Sequence, residues 1–87
     1  MSKQVKKTET RSVRAIAIDI IAHWPKPNYA AVPYLKAMEE ITDIKGYYYM
    51  DRADSIVRYF LSNAGSWRGE HARRIKAELK AMLKEVR

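Results

Sequence analysis

The stretch that decides the fold is ADSIVRYFLSNA, residues 53–64. Its apolar side chains recur every three or four positions, which places them on one face of a helix. They are Ala53, Ile56, Val57, Phe60, Leu61 and Ala64. Gly65 follows as a helix terminator and Ser66 as the cap of a next helix, so the pattern predicts a tight turn between two amphipathic helices.

The same helical period precedes this stretch at the start of the chain. The apolar positions from Val13 to Trp24 predict helix one over about residues 10–24. Thr8 and Thr10 are both suitable caps for its first turn. Pro25 should end the helix, because a proline disfavours the α conformation of the residue before it.

Two further helices complete the predicted fold. Helix two is expected to begin between residues 29 and 33 and to end at Gly46 in a left-handed conformation, while helix four is expected over residues 67–86. We therefore predict an all-α protein: a small four-helix domain over residues 9–87, with a tight hairpin between helices three and four. Residues 1–8 are predicted to form a flexible basic tail.

Length and composition limit the function. Eighty-seven residues allow one small domain with little room for a catalytic cleft, and the absence of cysteine excludes disulfides and thiolate metal sites. Lys and Arg number 17 against 10 Asp and Glu, which gives a net charge of +7. The excess lies in residues 1–14 and 67–87, whereas the segment between them is slightly acidic.

Five cations of helix four form one ridge on a helical wheel. They are Arg73, Lys76, Lys80, Lys84 and Arg87. A helix with this spacing offers a cation to a phosphate backbone at every turn. Arg68, beside the N–H groups that open the helix, is a further candidate to bind an anion. The alternative is a solvated face that keeps the protein soluble, with an ordinary glycine cap at its start.

A second enrichment is the run Tyr47, Tyr48 and Tyr49 before helix three. Successive side chains cannot all point inward, so at least one ring should be exposed, and the run could form a short extended segment. Exposed rings stack on bases and are equally favoured in protein interfaces. The alternative is that the rings cover gaps between helices, as we expect of Trp24 and Trp67 in the core.

The sequence shows no pattern typical of an enzyme. Asp19 and His23 stand one helical turn apart, which is more typical of a surface pair than of a catalytic dyad, and the other histidine is His71. Because no phosphate loop, nucleophile motif or metal-ligand spacing is present, we predict no catalysis, no cofactor and no metal.

No apolar run suits a signal peptide or a membrane span, so we predict a cytoplasmic protein without membrane contact.

Several stretches of this chain resemble small uncharacterised proteins encoded by bacteriophages and prophages. The likeness covers residues 30–83 and is carried by AVPYL at 31–35 with Met38, DSIVRYFLSNA at 54–64, WRGE at 67–70 and ARRIKAEL at 72–79. The resemblance implies a phage or prophage setting in a bacterial cytoplasm. It transfers no activity and no site residue.

The function predicted from the sequence is that of a small phage-type accessory protein that acts by binding. Nucleic acid, DNA or RNA, is the favoured partner of the basic C-terminal helix, and phosphate contacts of this kind predict weak sequence preference. The alternative is a protein-interaction module that uses residues 47–49, either an inhibitor or adaptor of a host or phage protein or a homo-oligomer. The oligomeric state is left open.

Overall fold

A computed structural model describes residues 11–86, which form four helices and one antiparallel hairpin. In chain order the elements are α1 (Val13–His23), α2 (Val32–Met38), β1 (Tyr47–Tyr48), β2 (Asp51–Arg52), α3 (Ala53–Ser62) and α4 (Glu70–Lys84). The predicted helical fold is therefore confirmed, but the small sheet makes the all-α class only approximately right. The predicted tail at residues 1–8 lies outside the described residues.

All four helices contribute to one hydrophobic core. Each helix buries apolar side chains at helical spacing: Val13, Ile16 and Ile20 of α1, Leu35 and Met38 of α2, Ile56, Val57 and Phe60 of α3, and Ile75, Leu79 and Met82 of α4. Helix α2 packs mainly against α3, while α4 packs against α1 and α3. This arrangement leaves the outer face of α4 exposed.

Helix α1 begins later than predicted and ends where predicted. Ser12 has an extended backbone, and its hydroxyl accepts the N–H of Ala15 at 3.0 Å. This cap places the first helical residue at Val13 rather than near residue 10. At the other end Trp24 leaves the α conformation immediately before Pro25, as the sequence predicts.

Helix α2 is shorter than predicted, since it ends at Met38 and not near Gly46. The Asp43 carboxylate accepts the N–H of Lys45 at 2.9 Å, and the Asp43 carbonyl accepts the N–H of Gly46 at 2.8 Å. These local bonds offer the backbone a turn in place of a helix. The predicted left-handed conformation at Gly46 is wrong, because among the described glycines only Gly69 has a positive φ.

The predicted tight hairpin between helices three and four is also wrong. Helix α3 ends at Ser62 and α4 begins at Glu70, with Gly69 rather than Ser66 in the cap position. Residues 63–69 form the connection, and they include Trp67, which is 5% exposed. The connection is thus seven residues long and itself contributes a side chain to the core.

Candidate functional site

The beginning of α4 carries a shallow depression lined by cations. We call it the basic depression, and it is lined by Gly65, Trp67, Arg68, Gly69, Arg73 and Lys76. Within residues 11–86, no carboxylate lines it. Arg68 and Arg73 are exposed, while Lys76 is half-buried. Three of the predicted nucleic-acid contacts therefore meet at one place.

Trp67 shapes the basic depression from beneath. Its indole N–H donates to the carbonyl of His23 at 3.3 Å, which ties the connection to the end of α1. Its own carbonyl accepts a hydrogen bond from Nζ of Lys76 at 2.7 Å. Gly69 then turns the chain into α4 with φ of 109°, a conformation that side-chain-bearing residues rarely adopt. The wall of the depression is thus held by a buried ring and a lysine.

The cations at this end of α4 repel one another. Burial lowers the pKa of Lys76, and the positive charges of Lys80 and Arg68 lower it further. In the described part of the chain, no carboxylate oxygen lies within 4.0 Å of the charged nitrogens of these three residues. A bound anion would relieve this repulsion.

The remaining ridge residues continue along α4. Lys80 and Lys84 are exposed, so the described ridge extends from Arg73 to the last turn. Helix α4 has 15 residues, which corresponds to a length of about 21 Å. Arg87, the last predicted ridge residue, lies outside the described residues. Lys76 uses one of its three donor hydrogens on Trp67 and retains two for a ligand.

The predicted tyrosine run forms the hairpin. Tyr47 pairs with Arg52 and Tyr48 with Asp51, so the expected extended segment is confirmed. Tyr48 packs against the core, whereas Tyr49 at the tip is 82% exposed. Tyr49 has φ of 57°, an uncommon value for a residue with a large side chain. The expectation that at least one ring is exposed holds, while the role of these rings stays a prediction.

The hairpin and the basic depression lie at opposite ends of α4. A second depression is lined by Tyr47 and Arg52 of the hairpin and by Glu85 and Val86, which follow the last turn of the helix. The basic depression instead surrounds the first turn. The predicted stacking rings are therefore not at the point where the cations are most concentrated.

Sequence reasoning missed one exposed ring in the loop after α1. Tyr29 is 89% exposed. Its neighbour Asn28 donates a side-chain hydrogen bond to the carbonyl of Asn63 at 2.9 Å, which joins the loop after α1 to the connection before α4. Gly65, two residues farther on, lines the basic depression. The relevant signal in the sequence was the stiff PKPN stretch, which holds Tyr29 at the surface.

A separate cluster of charged side chains joins α1 to α4. Arg11 donates to both oxygens of Glu78 at 3.0 and 2.7 Å and to Oδ2 of Asp19 at 2.9 Å. Nε2 of His71 and Nδ1 of His23 each lie 3.0 Å from Oδ1 of Asp19. The two imidazole rings stack with centroids 3.9 Å apart. We call this group the histidine cluster.

Hydrogen bonding controls the charge of Asp19 in this cluster. Burial is the largest single influence and raises the pKa of Asp19, but the hydrogen bonds and charges of Arg11 and His71 together outweigh it, so the pKa is lowered. Asp19, His23 and His71 have ligand atoms within 4.8 Å of one another, close enough to hold a metal ion. The sequence placed Asp19 and His23 one turn apart on a helix. It gave no sign that His71 joins them, because His71 lies 52 positions from Asp19.

Comparisons with known proteins supply no relative for this chain. No protein-family model matches it, and neither a curated protein nor a solved structure does. The resemblance to phage proteins therefore stays a prediction.

No helix among residues 11–86 is both long and apolar enough to cross a bilayer. The surface chemistry described above is the basis for a functional proposal.

Proposed function

We propose that the protein acts by binding nucleic acid through the basic depression and the exposed cations of α4. The observation that carries this proposal is the convergence of Arg68, Lys76 and Lys80 without a carboxylate partner in the described chain. Phosphate groups would relieve their mutual repulsion and release counterions on binding. Because phosphate contacts carry little sequence information, the expected preference for sequence is weak.

The size of the cationic surface sets the length of the ligand. One strand of a duplex carries a phosphate for about every 3.4 Å of its axis, so about six phosphates lie beside α4 over its length of about 21 Å, and an extended single strand presents fewer. Arg73, Lys80 and Lys84 lie along that path, and Tyr29 offers an exposed ring in the loop that Asn28 joins to the connection before α4. An exposed ring can stack only on an unpaired base, so this surface favours single-stranded over double-stranded nucleic acid.

Fluorescence anisotropy with labelled random-sequence oligonucleotides tests the proposal. Single- and double-stranded DNA and RNA are titrated with the full chain at low and moderate salt. We expect affinity to fall steeply with salt, and the double variant Arg68→Glu, Lys80→Glu to reduce affinity roughly tenfold or more and to flatten the salt dependence. The side chains of both residues are exposed and make no hydrogen bond to the described residues.

A matched control separates a site from a general charge effect. The double variant Lys36→Glu, Lys45→Glu changes the net charge equally, and neither of its exposed residues lines the basic depression. We expect it to retain most of the affinity. An equal loss in both variants would show that the attraction is diffuse, and no binding at low salt would overturn the proposal.

A second candidate function is a protein interaction through the hairpin. The tip residues Tyr49 and Met50 are 82% and 90% exposed, and Tyr47 beside them is also exposed. Large exposed apolar side chains that lie together are typical of interaction sites. The base of the hairpin shares a depression with Glu85 and Val86, at the end of α4 opposite the basic depression. A partner there would be recognised by apolar contact rather than by charge.

Light scattering and capture from a bacterial lysate test this second candidate. We expect the double variant Tyr49→Ser, Met50→Ser to lose a self-association or a captured partner that the variant Arg68→Glu, Lys80→Glu retains. The opposite result would assign the partner to the basic depression.

The resemblance to phage proteins supports a phage or prophage accessory role in a bacterial cytoplasm for either candidate. Both candidates act by binding rather than by catalysis.

A further inference from the structure

The histidine cluster brings three metal-binding side chains to one point. Asp19 and His23 lie one turn apart on α1, and His71 lies in the first turn of α4. Oδ1 of Asp19 is 3.0 Å from Nδ1 of His23 and 3.0 Å from Nε2 of His71. A zinc ion holds nitrogen and oxygen ligands at about 2.0 to 2.1 Å, so atoms at this separation can reach the same ion.

The chemistry of the donors suits a borderline transition metal. Two imidazole nitrogens and one carboxylate oxygen form a set that binds Zn²⁺, Ni²⁺ or Cu²⁺ rather than Ca²⁺ or Mg²⁺, which prefer oxygen ligands. Nε2 of His71 lies 3.0 Å from Oδ1 of Asp19, and Nδ1 of His23 lies 3.0 Å both from that oxygen and from the backbone carbonyl of Asp19. An ion bound by these three atoms takes the place of the hydrogens between them, and the exposed His23 ring can turn to meet it.

The charges around the site also favour a cation. Arg11 carries one positive charge, and it is shared between two carboxylates, Asp19 and Glu78. With neutral imidazoles the cluster therefore has an excess of one negative charge. Arg11 binds Oδ2 of Asp19 and so leaves Oδ1 directed at the imidazoles. Hydrogen bonds of this kind orient the carboxylate ligands of metal sites.

Access to the site is open from one side. The side chain of His23 is 51% exposed, against 21% for Asp19. The His23 ring can therefore rotate away from its stack on His71 and admit both the ion and its water ligands. Asp19 and His71 are held by the packing of α1 against α4 and form the fixed part of the site.

We propose that Asp19, His23 and His71 form a three-ligand site for a divalent transition-metal ion of the Zn²⁺ class, with water at the remaining position. The ion joins the last two turns of α1 to the first turn of α4. The metal site is independent of the nucleic-acid proposal, because none of the three ligand residues lines the basic depression. Its effect is to fix the end of α4 from which that depression is built.

Calorimetry with ZnCl₂ and the tag-free, chelator-treated full chain tests the site. We expect one ion for each chain. Co²⁺ and Ni²⁺ give a second readout, because the Trp67 ring lies 6.3 Å from the His71 ring and a paramagnetic ion bound there should quench tryptophan fluorescence. Both histidines of the chain belong to the cluster, so a histidine-dependent signal has a single origin.

Substitutions identify the ligands. We expect His23→Gln, His71→Gln and Asp19→Asn each to weaken Zn²⁺ binding roughly tenfold or more, while Glu78→Gln, which changes only a partner of Arg11, weakens it less. Asp54→Asn, a buried carboxylate elsewhere, should leave binding unchanged. Circular dichroism checks each fold, and if His71→Gln does not fold, the exposed His23 still carries the test.

Two results would overturn the site. One is the absence of both heat and fluorescence quenching at millimolar Zn²⁺ and Ni²⁺, which would leave the cluster as a hydrogen-bonded group only. The other is Zn²⁺ binding that persists undiminished in the double variant His23→Gln, His71→Gln, which would place the ion elsewhere on the chain.

Discussion

Trp67 stacks on Trp24 with ring centroids 5.5 Å apart and planes only 12° from parallel. The two indoles join the connection before α4 to the residue that ends α1. Phe60 of α3 meets the Trp24 ring edge-on at 6.2 Å, so three elements converge on this pair. Because the Trp67 carbonyl also holds Lys76, the same residue belongs to the core and to the wall of the basic depression.

The first prediction concerns this stack. Trp67→Ala should lower the free energy of unfolding by about 3 to 5 kcal/mol, because it removes a buried indole and leaves a cavity. Trp67→Phe should cost less, since a ring still fills part of the space. Urea denaturation measures both. A loss below about 1 kcal/mol for Trp67→Ala would contradict the assignment of this ring to the core.

The second prediction separates Lys76 from its neighbour Lys80. Lys76→Gln should lower the free energy of unfolding by about 1 kcal/mol, because it replaces a charge-assisted hydrogen bond to Trp67. Lys80→Gln should leave stability unchanged or slightly raised, because it removes a repelling charge. Chemical denaturation of both variants provides the comparison. Equal effects on stability would show that the hydrogen bond contributes nothing measurable.

The third prediction concerns base stacking. Tyr29→Ala should weaken binding to single-stranded oligonucleotides by about 1 to 3 kcal/mol, because Tyr29 is an exposed ring in the loop that Asn28 joins to the connection before α4. Tyr49→Ala is the matched control at the other end of α4 and should change affinity little. Anisotropy titrations measure both. A larger loss for Tyr49→Ala would instead place the bound strand at the hairpin.

The fourth prediction concerns the strained tip of the hairpin. Tyr49→Gly should raise the free energy of unfolding by about 0.5 kcal/mol, because glycine adopts a positive φ without steric cost, although the contact with the Tyr48 ring is lost. Met50→Gly, at a residue without positive φ, should be destabilising. Thermal unfolding compares the two. If Tyr49→Gly gains stability but loses a partner, the ring is retained for binding.

The fifth prediction concerns acid stability. The pKa of Asp19 is lower in the folded chain than in the unfolded chain, so its ion pairs stabilise the fold above the ordinary carboxyl pKa of about 4. This contribution is lost as the pH falls through the lowered folded value. With a chelator present, wild type should exceed Asp19→Asn in stability at neutral pH, and the difference should shrink at acid pH. A constant difference across that range would contradict the pairing.

The helices themselves were predictable from the sequence. Residues 53–64 and the apolar positions of the other helices predicted which side chains are buried, because a helical period of 3.6 residues is a local property that the chain carries in its pattern. Trp24 and Trp67 were expected in the core and are there. The segments of excess charge were equally readable, since they depend only on composition.

The helix ends were less predictable, because they depend on competing local bonds. Helix α2 ends at Met38, and Asp43 closes a separate turn with its own side chain in the segment that the sequence predicted as helix. Before α4, Gly69 and not Ser66 occupies the cap position, and buried Trp67 lies in the connection instead of the helix. In both places the side chain has a partner that the helical pattern does not show: the N–H of Lys45 for Asp43 and the Trp24 ring for Trp67.

By itself the sequence determined the four helices, their buried faces and a ridge of cations on the last helix, because each of these follows from spacing within one segment. Only the tertiary structure decided which of these side chains meet. The packing of α1 against α4 brings His71 to Asp19 across 52 positions, and the Trp67 connection brings Arg68 to the ridge. Contacts between distant segments depend on how whole helices pack, and no periodicity within a single segment encodes them.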